Sequence, residues 1–225
     1  MNFNGGIIKP KASERLRIMG AGATADSVGS IKMYISPNVS VTADIYGGAF
    51  TKNVTGNTEI VLDRVKITGN VFGAGYNGGT HNGNIKLDFL CPEITESIFG
   101  GGNLANVGTS SSPKQITINL PAGTVNYNLN GGSKQGIVYG DIDINIGKAT
   151  CADLDYSQAI IIGGSIYGSG SSVYANTSTF NYDTISVYGD ITIDIDPSAN
   201  GIFAMENSIY GAGQSATYQG EANIN

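Results

Sequence analysis

The chain of 225 residues is long enough to bury a core without disulfide staples. Glycine supplies 33 residues and isoleucine 28 against 8 leucines, while charged residues make up only 13%, a balance that fits strands and turns and excludes a helical bundle, collagen and a disordered tail. The net charge of −6 is uneven, with 8 Lys and Arg against 5 Asp and Glu in residues 1–66 and 4 against 13 in residues 67–225, which argues against nucleic acid or an anionic membrane as partner and leaves cations, neutral glycans and proteins.

Residues 1–17 open with Met1-Asn2-Phe3-Asn4-Gly5-Gly6, which lacks the basic and apolar regions of an export signal, and read as a leading segment or partial repeat. From residue 18 onward one pattern governs the chain: an aliphatic residue, usually an aromatic, then a glycine-rich triplet. It recurs at Ile18-Met19-Gly20, Ile45-Tyr46-Gly47, Val71-Phe72-Gly73, Ile98-Phe99-Gly100, Leu129-Asn130-Gly131, Ile166-Tyr167-Gly168 and Ile209-Tyr210-Gly211, with spacings of 27, 26, 27, 31, 37 and 43 residues. Each copy leads into a run of strict apolar and polar alternation, as in Gly83-Asn84-Ile85-Lys86-Leu87-Asp88-Phe89 and Gly140-Asp141-Ile142-Asp143-Ile144-Asn145-Ile146, the period of a half-buried strand. One such strand every 26 or so residues, with no helical segment between copies, predicts an all-β chain: a parallel β-solenoid of about seven coils over residues 18–225. No segment approaches the roughly 20 apolar residues of a membrane span, so no membrane insertion is expected within the segment.

Stacking the copies predicts two inward ladders. One is Ile18, Ile45, Val71, Ile98, Leu129, Ile166 and Ile209; the other is Ile31, Ile60, Ile85, Ile116, Ile142, Ile191 and Ala222. Arg64 falls on the inward side of its strand and predicts a bulge or register change near residues 62–65. The later coils lengthen by insertions at 147–165 and 171–188, and loops on a rigid scaffold are where binding is expected. Residues 220–225 begin another strand, so the chain is expected to be truncated at its C-terminal end, with further repeats of its own longer chain as partners.

The aromatic-glycine triplet, Phe99-Gly100-Gly101-Gly102 and its relatives, followed by a Gly-Asp/Asn-Ile-x-Ile-x-Ile strand, resembles the repeats of large adhesin-like cell-surface proteins of bacteria, gut bacteria in particular. The resemblance covers residues 18–225 and implies a single-stranded right-handed parallel β-helix of the pectin-lyase-like kind. It further implies a non-catalytic stalk or adhesin at the extracellular face of the cell, with a glycan or a partner protein as ligand and an export signal outside this segment. The same architecture hosts polysaccharide lyases, glycoside hydrolases and phage tailspike-like receptor binders, which stand as alternatives.

Candidate chemistry lies on the outward columns. One reads Ser30, Glu59, Asn84, Gln115, Asp141, Asp190, Glu221, and its neighbour reads Lys32, Val61, Lys86, Thr117, Asp143, Thr192, Asn223. Asp141, Asp143 and Asp190 are therefore candidate calcium ligands or an acid/base pair, weighed against a solvated acidic face. Catalysis lacks its other parts: the three arginines all lie by residue 64, and the Asn-Thr-Asp, Asp-Asp, Gly-His-Gly and Arg-x-Lys signatures of pectin hydrolases are absent. No catalytic residue and no obligatory cofactor are expected. His81, in Gly79-Thr80-His81-Asn82-Gly83, reads as an exposed turn histidine. The aromatic column from Met19 to Tyr210 points outward or into the corner, a structural ladder weighed against a sugar-stacking platform, and Tyr174, Tyr182 and Tyr188 add candidate sugar-stacking residues. Cys91 and Cys151 follow strands about 10 Å apart along a solenoid axis, beyond disulfide reach unless the 147–165 insertion folds back, which favours free thiols.

Overall fold

A computed structural model describes residues 1–12, 14–27, 29–147, 159–171, 185–197, 202–214 and 216–225. Among them the chain is all-β, without an α-helix. Isoleucine and valine at alternate positions favour extended backbone and put one row of side chains on one face. Every pairing between the strands is parallel, and the strands gather in sheets of 13, seven and five members.

Each strand pairs with the equivalent strand of the next repeat, so sequence period becomes spatial stacking. In the seven-stranded sheet Ile18, Ile45, Val71, Ile98, Leu129, Ile166 and Ile209 oppose one another in the predicted order. In the largest sheet the ladder runs Ile31, Thr58, Ile85, Ile116, Ile142, Ile191, Ala222. Thr58 thus takes the rung expected of Ile60, which instead pairs with Met33 and Leu87. The outward columns move with it: Glu59, not Val61, lies beside Lys32, and the Asn57 carbonyl accepts from the Ile31 N–H at 2.7 Å. Threonine fits because its branched carbon fills an aliphatic slot while its hydroxyl donates to the Gly47 carbonyl at 3.2 Å.

The strand Thr58–Asp63 ends where the misplaced arginine predicts. Arg64 takes a left-handed conformation, φ 50°, and pairing resumes at Lys66–Ile67. The five-stranded sheet has its own inward column of His81, Val107, Val138, Val187 and Tyr218, extended by a bridge from Val54. Ladders from all three sheets meet in one continuous apolar core. Each fully buried isoleucine there contributes about 1.5–3 kcal/mol of transfer free energy.

The glycine triplets have a steric cause. At Gly47, Gly73, Gly100, Gly131 and Gly168 a Cβ would fall inside 3.0 Å of the carbonyl oxygen of the equivalent glycine one repeat on. None of these five has a positive φ, so close backbone approach between repeats, not turn geometry, requires glycine.

Asn2–Phe3 and Gly6–Ile8 join the largest sheet beside Ile31–Ile35 and Val39–Val41. Most of the two insertions lies outside the described residues. At their margins, Ile160–Ile162 pairs with residues 123–125 and with Phe203–Met205, and Ser186–Tyr188 pairs with Ile137–Tyr139 and Thr217–Gln219.

Candidate functional site

The acidic column is engaged with the backbone. Asp190 donates its N–H to Asp141 Oδ1 at 2.9 Å, and Glu221 donates its N–H to Asp190 Oδ1 at 2.9 Å. Earlier repeats make the same bond with amides: Asn57 Oδ1 accepts from the Asn84 N–H at 2.9 Å and Asn84 Oδ1 from the Gln115 N–H at 3.1 Å. A side-chain oxygen at this corner thus satisfies the backbone of the following repeat whether or not it is charged, and each charged one gains a donor that relieves like-charge repulsion. Asp143 accepts from Gln115 Nε2 at 2.6 Å. Among the described residues no group of three or more His, Cys, Asp or Glu side chains is arranged to hold a metal ion.

The aromatic column is shielded from solvent along most of its length. Tyr46, Phe72 and Phe99 are buried and stacked nearly parallel, with ring centroids 4.6 and 4.9 Å apart, and Tyr76 covers Tyr46 edge-on at 5.3 Å. Asn130 breaks the stack. Fully buried, it donates Nδ2 to the Ile98 carbonyl at 2.9 Å and accepts from the Ser171 hydroxyl at 2.6 Å. Of the three candidate sugar-stacking tyrosines, Tyr174 and Tyr182 lie outside the described residues. Tyr188 is half-buried and stacks on Tyr139 at 5.1 Å, in register across the five-stranded sheet.

Two expectations are corrected. His81 is not an exposed turn residue: it lies in the strand Thr80–His81, is 2% exposed, and neither ring nitrogen has a hydrogen-bond partner. The glycines and asparagine around it mark the corners of a very short strand, and the strand turns the imidazole into the column between Val54 and Val107. Burial lowers its pKa to about 4. Cys91 is disulfide-bonded rather than free. The chain's other cysteine, Cys151, falls in the 147–165 insertion, outside the described residues, so the axial spacing of strands does not govern its reach.

An electrostatic network appears at the corner before the seven-stranded sheet. Arg15 donates through Nε and Nη2 to the two carboxylate oxygens of buried Asp44, and through Nη2 to Glu96 at 2.6 Å. Asp44 Oδ1 also accepts from the Asn70 N–H at 2.8 Å, and Asn70 passes the pattern on by accepting from the Ser97 N–H at 2.9 Å. Beside this network opens a groove of about 460 Å³ lined by Arg15, Asn70, Glu96, Tyr127, Asn128 and Lys134, among others. A second groove of about 410 Å³ runs past Arg64, Lys66, Cys91, Glu93 and Ile161. The sequence reading missed both. The signal for the first was nonetheless periodic: Asp44, Asn70, Ser97, Asn128, Ser165 and Ser208 each stand immediately before the inward aliphatic residue of a repeat. The chain matches no family model, no curated protein and no solved structure.

Proposed function

We propose that the chain is a segment of a right-handed parallel β-helix serving as a non-catalytic scaffold, a surface-exposed bacterial stalk or adhesin that presents a glycan- or protein-binding face outside the cell. The observation that carries this reading is the register: equivalent residues of successive repeats oppose one another through three parallel sheets. The recurrent sequence features, ladder isoleucines, corner glycines and Asn or Asp oxygens, all serve the stacking of one repeat on the next. A disulfide at Cys91 supports an oxidising, exported location.

A polysaccharide lyase or hydrolase is the weaker reading. Proton abstraction beside a uronate carboxylate calls for a base and a cation placed to neutralise the substrate, whereas Arg15 and Arg64 are paired with carboxylates and Arg17 lies over the Tyr76 ring. Incubation with polygalacturonate, alginate or chondroitin sulfate is expected to release neither unsaturated nor new reducing ends. Release that disappears in Asp141→Asn and Asp190→Asn overturns the non-catalytic reading. A glycan array with and without calcium tests for the ligand, and stable trimers in solution favour a tailspike-like receptor binder instead.

A further inference from the structure

The groove beside the Arg15 network is lined from several successive repeats. Its residues at positions 15, 70, 96, 127, 128 and 134 stand in the bends and loops between strands. Tyr127 stands at its rim 60% exposed, the most exposed aromatic ring in the described chain. The described residues offer that ring no ring partner, while Tyr46, Phe72 and Phe99 are stacked and buried.

The polar groups are held in place and incompletely used. Glu96 accepts from Arg15 and from Asn70 Nδ2, both through Oε2, so Oε1 keeps its acceptor capacity. Asn128 accepts from the Ser165 N–H through Oδ1 at 2.9 Å, which fixes the amide while its Nδ2 has no hydrogen-bond partner among the described residues. Lys134 is half-buried at the same groove, its pKa lowered by burial and then by Arg15. Charges of both signs stand at the groove, Arg15 and Lys134 beside Glu96 with buried Asp44 paired to Arg15, so neither sign dominates to gather a polyanion or a polycation. What remains is a fixed mixture of donors and acceptors beside one exposed aromatic face, in a volume within the range of small-ligand sites.

We infer that this groove binds a neutral saccharide, with Tyr127 stacking on a sugar ring and Glu96 and Asn128 hydrogen-bonding its hydroxyls. The inference rests on the non-catalytic reading above and moves the contact region from the late insertions to the leading segment and the first five repeats. Hydroxyls on a pyranose both donate and accept, which a carboxylate oxygen and an amide nitrogen lining one groove can satisfy.

The test is calorimetric titration of the full chain with neutral trisaccharides of glucose, galactose, mannose and xylose, with a trimer of galacturonic acid as charged comparison. At least one neutral trisaccharide is expected to bind, and Tyr127→Ala to weaken it about tenfold, the worth of one aromatic face. Asn128→Asp keeps the oxygen that caps Ser165 while removing the amide donor, and is expected to weaken binding with little change in thermal unfolding. Tyr188→Ala, on the five-stranded sheet, leaves the affinity unchanged. No binding by any neutral trisaccharide at millimolar concentration, preference for the uronate trimer, or full affinity in both groove variants overturns the inference. Cleavage of a bound trisaccharide overturns the non-catalytic reading instead, which separates the two failures.

Discussion

At Gly100 a β-carbon would stand inside 3.0 Å of both the Gly131 carbonyl oxygen and the Ile116 methyl, backbone on one side and core on the other. Neither neighbour can yield without separating two repeats. Gly100→Ala is therefore expected to destabilise by about 3 kcal/mol, the upper end for overpacking, in urea unfolding. Gly78 has φ 102° and open space around the position of a Cβ, so Gly78→Ala meets only backbone strain of about 1 kcal/mol. Equal losses at the two sites would contradict the steric account. His81 gives a second residue-scale prediction. Its ladder neighbours Val54 and Val107 carry no charge, and burial moves its pKa from 6.5 to about 4. Between those values the unfolded chain binds more protons than the folded one, so stability is fully present above about pH 6.5 and falls as pH drops towards 4, by about 3 kcal/mol over the window. His81→Val completes the valine column and is expected to remove this dependence; an undiminished slope in the variant places its origin elsewhere. The histidine was illegible in the sequence because a two-residue strand flanked by glycines has no alternation to read, and its burial is decided by the repeats on either side.

At the scale of the element, the corner oxygens explain why asparagine in earlier repeats and aspartate in later ones both serve at one position. Asp190→Asn retains an acceptor for the Glu221 N–H and is expected to leave stability unchanged, whereas Asp190→Ala leaves that N–H to water and costs about 1 kcal/mol. Both effects should be the same in calcium and in chelator; a calcium-dependent rise in unfolding temperature that Asp190→Asn abolishes would instead favour the metal reading of the column. The strands themselves were legible because alternation and spacing agree in most repeats. The exception is Thr58–Asp63, where counting from the first isoleucine misplaces the ladder by two residues. Threonine at the first inward rung is acceptable only because the Gly47 carbonyl lies within reach of its hydroxyl, a fact of the neighbouring segment that the strand's own pattern does not contain. The disulfide is a similar case, since strand spacing says nothing about a cysteine carried on an insertion. Alkylation of the denatured, unreduced protein is expected to add no label, and two labels after reduction, one for each of the chain's two cysteines.

For the whole molecule, parallel all-β architecture was legible because a period of 26 residues and more is a global property that survives local irregularity. The groove was not, because residues 15, 70, 96, 128 and 134 meet only after several repeats have stacked, and no single stretch of sequence holds more than a fragment of it. Stability in such an arrangement is close to a sum of repeat terms and contacts between neighbours, so a whole repeat is a removable unit while part of one is not. Residues 45–70 form one repeat of 26 residues, and their removal brings Val71 to the place of Ile45, opposite Ile18, with the glycine and corner-oxygen columns in phase. Removal of residues 45–57 alone throws every later column out of phase. Cooperative urea unfolding of these two deletion variants side by side asks whether the fold is a stack of interchangeable parallel repeats. A folded, cooperatively unfolding protein is expected for the whole-repeat deletion and loss of folded structure for the partial one; loss of folding in both, or tolerance of both, shows that the repeats are not interchangeable units.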